Sequence, residues 1–336
     1  MIETPPPPLS VPRAPNASPA RGTPPKQIAP RPVRIPVRFA SLTLANPALT
    51  LVSREATLRE ALAAAAPFPG HAALREADRS VDGFLVRSAP LSDGEPPPAG
   101  WRFHEQPAFD RYYCDVRGGW EAYVGGFSKK SVYNLKRNVR RLSEATADPV
   151  AFLDFRGRAQ IESFCDLAAV VSSKTYQARL YGSRFPAGPA HRTSILATAD
   201  ADDCFGHVLR FGDRPVAFAY FTVVDRALQL EYLGYDPEFS RWSVGMALLW
   251  TCMERHFDVD RWDLIDFGEG DAEYKRLLST GSVRCANRYL VRRSIRPALV
   301  LGAAASGVKA SRRLVELLDR LGAKERLRRL LRRGRR

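Results

Sequence analysis

Two short segments bring together residue types suited to group transfer. Ser243-Val244-Gly245-Met246-Ala247 follows an expected strand and opens an expected helix. Glycine at a helix start admits a ligand close to the backbone, and the first N–H groups of a helix have no partner inside it. Such a start suits an anion, phosphate above all. The second segment, Asp266-Phe267-Gly268-Glu269-Gly270-Asp271, is followed by Tyr274 and Lys275. It gathers carboxylates, a phenol and an amine at the end of the next expected strand, and these are groups that move protons. Upstream, the run 231–237 ends a strand in Gly234 and Pro237, so pairing must stop or bulge there and expose backbone groups. An anion cradle beside ionisable side chains points to an enzyme.

The elements that must position these residues alternate along the chain. Strands are expected at 49–53, 81–87, 109–116, 149–155, 204–211, 215–224, 227–235, 262–267 and 282–292. Helices are expected at 57–65, 120–127, 129–145, 158–179, 243–257 and 271–279; Val132, Leu135, Val139 and Leu142 form one apolar stripe on the third. Gly212-Asp213 and Asp225-Arg226 mark tight connections between strands. Hairpins followed by βαβ units imply a mixed α/β sheet. Met246, Leu249, Trp250, Met253 and Phe257 are the expected packing face of helix 243–257.

Other chemistries lack support. There is no GxxxxGK[ST], and Glu273 stands where the third glycine of GxGxxG would fall. His71, His104, His191, His207 and His256 are scattered without an HExxH, so no metal is expected. The five cysteines are widely spaced, with no CxxC and no neighbouring histidine. Reduced thiols are the expectation, without a cysteine-based covalent route.

The net charge of +15 is unevenly placed. Residues 288–336 hold 16 Lys or Arg against 3 Asp or Glu, residues 1–36 hold 5 against 1, and the body between is close to neutral. The charge therefore describes the ends rather than a basic groove. Residues 1–36 also hold 12 of the 26 prolines and read as a disordered leader. They lack the basic and apolar regions of a signal peptide. The bland apolar run 298–308 is about half of the roughly 20 residues a spanning helix needs, and a cytoplasmic location is expected. Leu314, Leu317, Leu318 and Leu321, then Leu327, Leu330 and Leu331, lie among arginines as amphipathic helix interrupted near Gly322. The cationic face of 129–141 (Lys129, Lys130, Lys136, Arg137, Arg140, Arg141) reads either as a polyanion or lipid contact or as a solvated helix side.

The basic helix 129–142, the strand pair 215–235, Val244-Gly245 and the Asp266…Gly268-x-Gly270…Tyr274-Lys275 motif together resemble the CelD/BcsL group of GNAT-like acyltransferases, relatives of the FemAB aminoacyltransferases. The resemblance covers residues 115–292. It implies a GNAT-like mixed sheet with flanking helices that binds acyl-CoA, acetyl-CoA first, in an opening between two central strands. By the same resemblance Leu233, Gly234 and Tyr235 would line the acyl and pantetheine arm, and Val244, Gly245, Met246 and Ala247 would offer N–H groups to the pyrophosphate. The family cradle begins with Gln or Arg three residues before its first glycine. Here that position is Trp242, and Arg241 is the neighbouring substitute.

Acyl transfer needs a base, oxyanion stabilisation and a proton for the leaving thiolate. Glu231 is the candidate base, or else an exposed strand carboxylate. Tyr274 is the candidate acid and Lys275 a partner for phosphate or an anionic acceptor, or both are surface residues of a short helix capped by Asp271. Asp266, Glu269 and Asp271 would position the acceptor, with Tyr176, Arg179, Tyr181 and Arg184 in the Gly182 loop.

The organisation expected is a leader (1–36), an N-terminal α/β portion that is either a degenerate GNAT half or an N-terminal extension (37–115), the acyltransferase domain (116–294) and basic C-terminal helices (295–336). The acceptor would be an amine or hydroxyl of a polysaccharide, envelope component or small molecule. Two other readings stand beside this one. One is FemAB-like transfer from aminoacyl-tRNA, with the basic tail binding tRNA. The other is a non-catalytic scaffold held at an anionic membrane by the 296–336 tail.

Overall fold

The computed structural model of the protein describes residues 29–320, apart from 40–41, 65–67, 70–73, 75–77, 79, 92–95, 145–149, 176–184 and 186–187. Most of the expected leader, the loop carrying Tyr176, Arg179, Tyr181 and Arg184, and the tail beyond Arg320 lie outside the described residues. The described chain divides into two compact units, one within residues 110–283 and one within residues 29–109 with 284–320.

The N-terminal part begins with β1 (Arg31–Arg34), followed by the ribbon of β2 (Val37–Phe39) and β3 (Leu42–Ala45). Then come β4 (Ala48–Glu55), α1 (Leu58–Leu62), β5 (Gly83–Pro90) and β6 (Trp101–Glu105). Only β4 and β5 match strands read from the sequence. A capping box starts α1: Thr57 Oγ1 accepts from Glu60 N at 3.1 Å, and Glu60 Oε2 accepts from Thr57 N at 2.8 Å.

The 110–283 unit starts in β7 (Phe109–Asp115), followed by α2 (Trp120–Gly125), α3 (Lys129–Glu144), β8 (Val150–Phe155), α4 (Gly157–Lys174) and α5 (Pro189–Asp200). Next come β9 (Cys204–Phe211), β10 (Arg214–Val224), β11 (Ala227–Tyr235), a 3-10 turn (Pro237–Trp242), α6 (Val244–His256), β12 (Leu264–Glu269) and α7 (Glu273–Leu278). The strands lie in the order β7-β12-β11-β10-β9-β8, all neighbours antiparallel except β11 and β12. That parallel pair is the βαβ unit built around α6, and the sheet is the expected mixed one.

Each face of this sheet carries its own core. On one, α4 and α5 bury Ile161, Phe164, Ala168, Val171 and Leu196 against Val208, Phe218 and Tyr220. On the other, α6 packs over Leu209, Ala219, Phe221 and Leu230. Helix α6 is buried nearly all round: Leu248, Leu249, Trp250, Cys252 and Met253 are inaccessible, while Met246 is half-buried. Its second side is covered by Trp120 and Phe127, whose rings lie 4.8 and 6.0 Å from that of Trp250. A helix hydrophobic all round is a central one, and truncating Leu248 to alanine would cost about 2–5 kcal/mol.

Strand β13 (Gly281–Arg292) and helix α8 (Ile295–Arg320) complete the second unit. Its strands run β1-β4-β5-β13, with β6 also on β13 and a parallel β4–β5 pair. Leu49, Leu51, Leu85, Tyr289, Val291 and Leu301 form its core. Helix α8 is continuous through the bland run 298–308, and no helix among the described residues is long and apolar enough to cross a membrane.

Candidate active site

The site begins as a loss of pairing. Strand β11 stays paired with β10 as far as Ala217 opposite Tyr235. On its other side it pairs with β12 only over Ala227–Gln229 against Leu264–Asp266. Beyond that point the two strands part, leaving a wedge between Leu230–Tyr235 and Phe267–Glu269. Two local causes are visible. In β11, Tyr220 faces Tyr232 and Phe221 faces Leu230, so Glu231 is the extra residue of a β-bulge. In β12, pairing with β7 is interrupted between Asp266 and Glu269, where Gly268 has φ +72°.

Buried charge holds the β12 side. Arg111 on β7 and Asp266 on β12 are both buried, and Arg111 Nε donates to Asp266 Oδ2 at 3.0 Å. Asp266 Oδ1 also accepts from Gly268 N at 2.8 Å, which fixes the turn. Lys275 Nζ donates to Glu269 O at 2.6 Å and to Gly268 O at 3.3 Å. Burial lowers the Lys275 pKa, against the opposing pull of Asp266, Glu269 and Asp271. Asp266 is thus closed to an acceptor, and the Lys275 ammonium ties down the glycine turn rather than reaching into solvent. Glu269 and Asp271 are exposed, Asp271 held by Arg276 and by the Tyr112 hydroxyl at 3.3 Å.

The start of α6 lies where β11 leads. Ser243 sits in the left-handed region at φ 53° and makes no side-chain cap. Ala247 N donates to Ser243 O, leaving the N–H groups of Val244, Gly245 and Met246 ahead of the first helical bond. Val244 and Ala247 are fully buried and Gly245 is buried as well, while Met246 is half-buried. A Cβ on Gly245 would lie 3.1 Å from the Tyr235 ring, which is 42% exposed over the helix start. Arg241 stacks on Trp242 at 3.7 Å. Gly234 faces the other way: a Cβ there would meet the Phe218 ring at 2.5 Å and Thr175 Cγ2 at 3.2 Å. Its need for glycine is close packing, and Leu233 packs half-buried on the α6 side.

Glu231 and Tyr274 sit on opposite faces. Glu231 is exposed and accepts from Thr222 Oγ1 at 3.0 Å, on the side of Tyr220 and Tyr232. Tyr274 packs into the α6-side core edge-on to Phe267, and burial pushes its pKa up to about 12. The wedge between β11 and β12 lies between the two faces, so each residue borders it from its own side.

Several supporting residues escaped the sequence reading. Asp236, 2% exposed, caps the 3-10 turn through Glu238 N and pairs with Lys174 at 3.0 Å and Arg214 at 3.7 Å. It pins the end of α4 and the start of β10 beside the end of β11. Two of the scattered histidines also meet: His207 Nε2 and His256 Nε2 are 2.8 Å apart, and His207 Nδ1 is 2.7 Å from Asp154 Oδ1, which Arg255 also holds. Sequence separation hid both groupings. No cluster of metal-ligand type occurs among the described residues. All five cysteines are buried and none is in a disulfide, and burial pushes Cys114 up to about 12 and Cys204 to about 11. A surface depression lined by Asp115, Arg117, Gly119, Tyr123 and Thr280 is at the other end of β12 and holds none of the site residues.

Residues 129–276 match the family model described as an acetyltransferase (GNAT) domain. That span contains the bulge, the wedge, the α6 start and the glycine turn. The fold of the chain is similar to that of FemX, with TM-score 0.50 at 10% identity over 81% of this chain and 90% of that one. A conserved protein of unknown function from Bacteroides thetaiotaomicron gives TM-score 0.45 at 13% identity, over 66% of this chain and 75% of its own. L-PGS from Bacillus licheniformis gives 0.43 at 13% identity, over 72% and 76%. No curated protein matches the chain.

Proposed function

We propose that the protein moves an acyl group, acetyl first, from CoA to an amine or hydroxyl of a polysaccharide, envelope component or small molecule. The observation that carries this reading is the wedge between β11 and β12, opening beside the start of α6, where three backbone N–H groups precede the first helical bond. The residues fit an acyl-CoA: the N–H groups of Val244, Gly245 and Met246, with Ala247 behind them, would hold the pyrophosphate. Arg241 would add charge in place of the family's Gln or Arg, and Leu233 and Tyr235 would border the acyl arm.

Transfer would be direct. Glu231 takes the proton of the acceptor as its nitrogen or oxygen bonds the thioester carbon. The carbon–sulfur bond then breaks, and Tyr274 gives its hydroxyl proton to the thiolate. A phenol held near 12 keeps that proton at neutral pH. Lys275 and the Arg111–Asp266 pair act by fixing the turn that presents Tyr274. The raised cysteine pKa values support direct attack over a thiolate intermediate. Within this proposal the narrower relationship is to the CelD/BcsL group, residues 37–115 are a degenerate GNAT half, and Glu269 and Asp271 meet the acceptor with the 176–184 loop.

Calorimetric titration with acetyl-CoA and with CoA, on the native protein and on Gly245→Glu, tests the reading. Micromolar binding, about −8 kcal/mol, that the variant abolishes is the expected result. Absence of binding to the native protein would set the acyl-CoA reading aside. Trp242 at the cradle's Gln or Arg position supports the second reading, transfer from aminoacyl-tRNA, which filter binding with charged tRNA would then test.

A further inference from the structure

We propose that the second unit carries a docking surface for an anionic phospholipid bilayer, formed by the β2–β3 ribbon and the outward side of α8. The most exposed large hydrophobic side chains among the described residues are Ile295 at 79%, Leu299 at 68%, Leu44 at 66% and Leu42 at 64%. All four belong to this unit. Leu42 and Leu44 are two apart on β3 and point to one side of the ribbon. Ile295 and Leu299 are four apart on α8 and share a helix face, away from Leu301, which is buried in the core.

Ribbon and helix form one assembly. A Cβ on Gly307 would lie 2.3 Å from the Arg38 carbonyl oxygen, so α8 seats directly on the β2 backbone. An isolated two-stranded ribbon is marginal in water, and this one is propped on the helix with its outer strand exposed throughout. The unit's interior therefore gives no packing reason for Leu42 and Leu44.

Charge selects the occupant. Arg31, Arg34 and Arg38 are exposed on β1 and β2, and residues 29–54 contain no Asp or Glu. Arg293, Arg296 and Arg313 are exposed before and along α8. The 16 residues that follow Arg320 hold eight Lys or Arg against one Glu. Exposed leucine and isoleucine among cations gain doubly at a bilayer surface, by apolar insertion and by attraction to anionic headgroups. A polynucleotide would satisfy the cations and leave the aliphatic side chains in water. This surface reaches beyond the tail considered from sequence, because its apolar half is folded structure, and it does not rest on the acyl-transfer reading.

Co-sedimentation of the full chain with vesicles of phosphatidylcholine, alone or mixed equally with phosphatidylglycerol, tests it. The expected result is binding to the mixed vesicles only, weakened roughly tenfold or more both in Leu42→Glu/Leu44→Glu and in Ile295→Glu/Leu299→Glu. Thermal melts of both variants check that these exposed positions leave the fold intact. Equal binding to both vesicle types, no binding, or unchanged binding in both folded variants overturns the proposal. So does a protein dimer that the substitutions dissolve without altering lipid binding, which would give the surface to a second copy of the chain.

Discussion

Arg111 and Asp266 meet across β7 and β12, each side chain 1% exposed, at the residue where β12 makes its last pairing with β11. The pair therefore stands at the apex of the wedge. A buried ion pair is weak evidence for net stability, but removing one partner strands the other charge. Arg111→Ala and Asp266→Ala should each destabilise by about 3–5 kcal/mol, while Arg111→Met with Asp266→Leu should lose much less. Urea denaturation of the three variants measures this. Single losses below about 1 kcal/mol would show that water reaches the pair.

Tyr274→Phe should reduce turnover by about 10²-fold or more while leaving donor affinity unchanged, since a general acid acts on the leaving group and not on binding. Steady-state kinetics paired with calorimetry separate the two effects. Unchanged turnover would remove Tyr274 from the chemistry.

Lys275→Met removes the donor that holds the Gly268 and Glu269 carbonyls. We expect a stability loss of about 1–3 kcal/mol from the unsatisfied carbonyls, and a fall in kcat without a matching rise in the KM for the donor. A selective rise in that KM would instead place the ammonium on the donor phosphate.

The His207–His256 contact makes stability depend on pH. Burial, then His207, Arg255 and Arg156, hold His256 well below its ordinary value, while Asp154 opposes them. As pH falls through about 6.5, the unfolded chain takes up that proton before the folded one, so stability drops. Burial favours the neutral form of Asp154, but the hydrogen bonds and charges of His207 and Arg255 outweigh it and hold its pKa at about 2. Its contribution is present above about 3.9 and is lost as pH falls toward 2. Urea midpoints across this range should fall in two stages, and His256→Phe should remove the upper one. A native profile flat between neutral pH and about 5 would contradict the assignment.

Gly234→Ala should destabilise by about 1–3 kcal/mol through overpacking, because its Cβ would enter the Phe218 ring. Differential scanning calorimetry reads this directly. A variant of native stability but weakened donor binding would return Gly234 to the ligand side.

Much of the fold was legible because period and punctuation agreed: β9, β10, β11 and α6 lie within a residue or so of their expected bounds. Even the bulge left a trace, since the α6-side residues of β11 run Leu228, Leu230, Leu233, a step of three where a regular strand steps by two. Helix α5 escaped for want of a clear apolar stripe, although Pro189 at its first turn is a start signal. Strands β1, β2, β3 and β6 are short and lie among prolines or beside turns. The expected end of helix 158–179 overran the observed Lys174, where Thr175 turns extended. The candidate site was legible as residue types but not as partners. Asp266 looked available to an acceptor because Arg111 lies 155 residues away, and periodicity carries no information at that range.

The wedge is written in hydrogen bonds that are not made. One surplus residue in β11 and one irregular step in β12 mark its edges, and both are features of backbone pairing. An aperture encoded this way separates two kinds of change: substitutions can retune what reacts there, while the frame that admits the reactants is inherited as backbone register. Such a fold can outlast recognisable sequence, as its likeness to a structure only 10% identical illustrates.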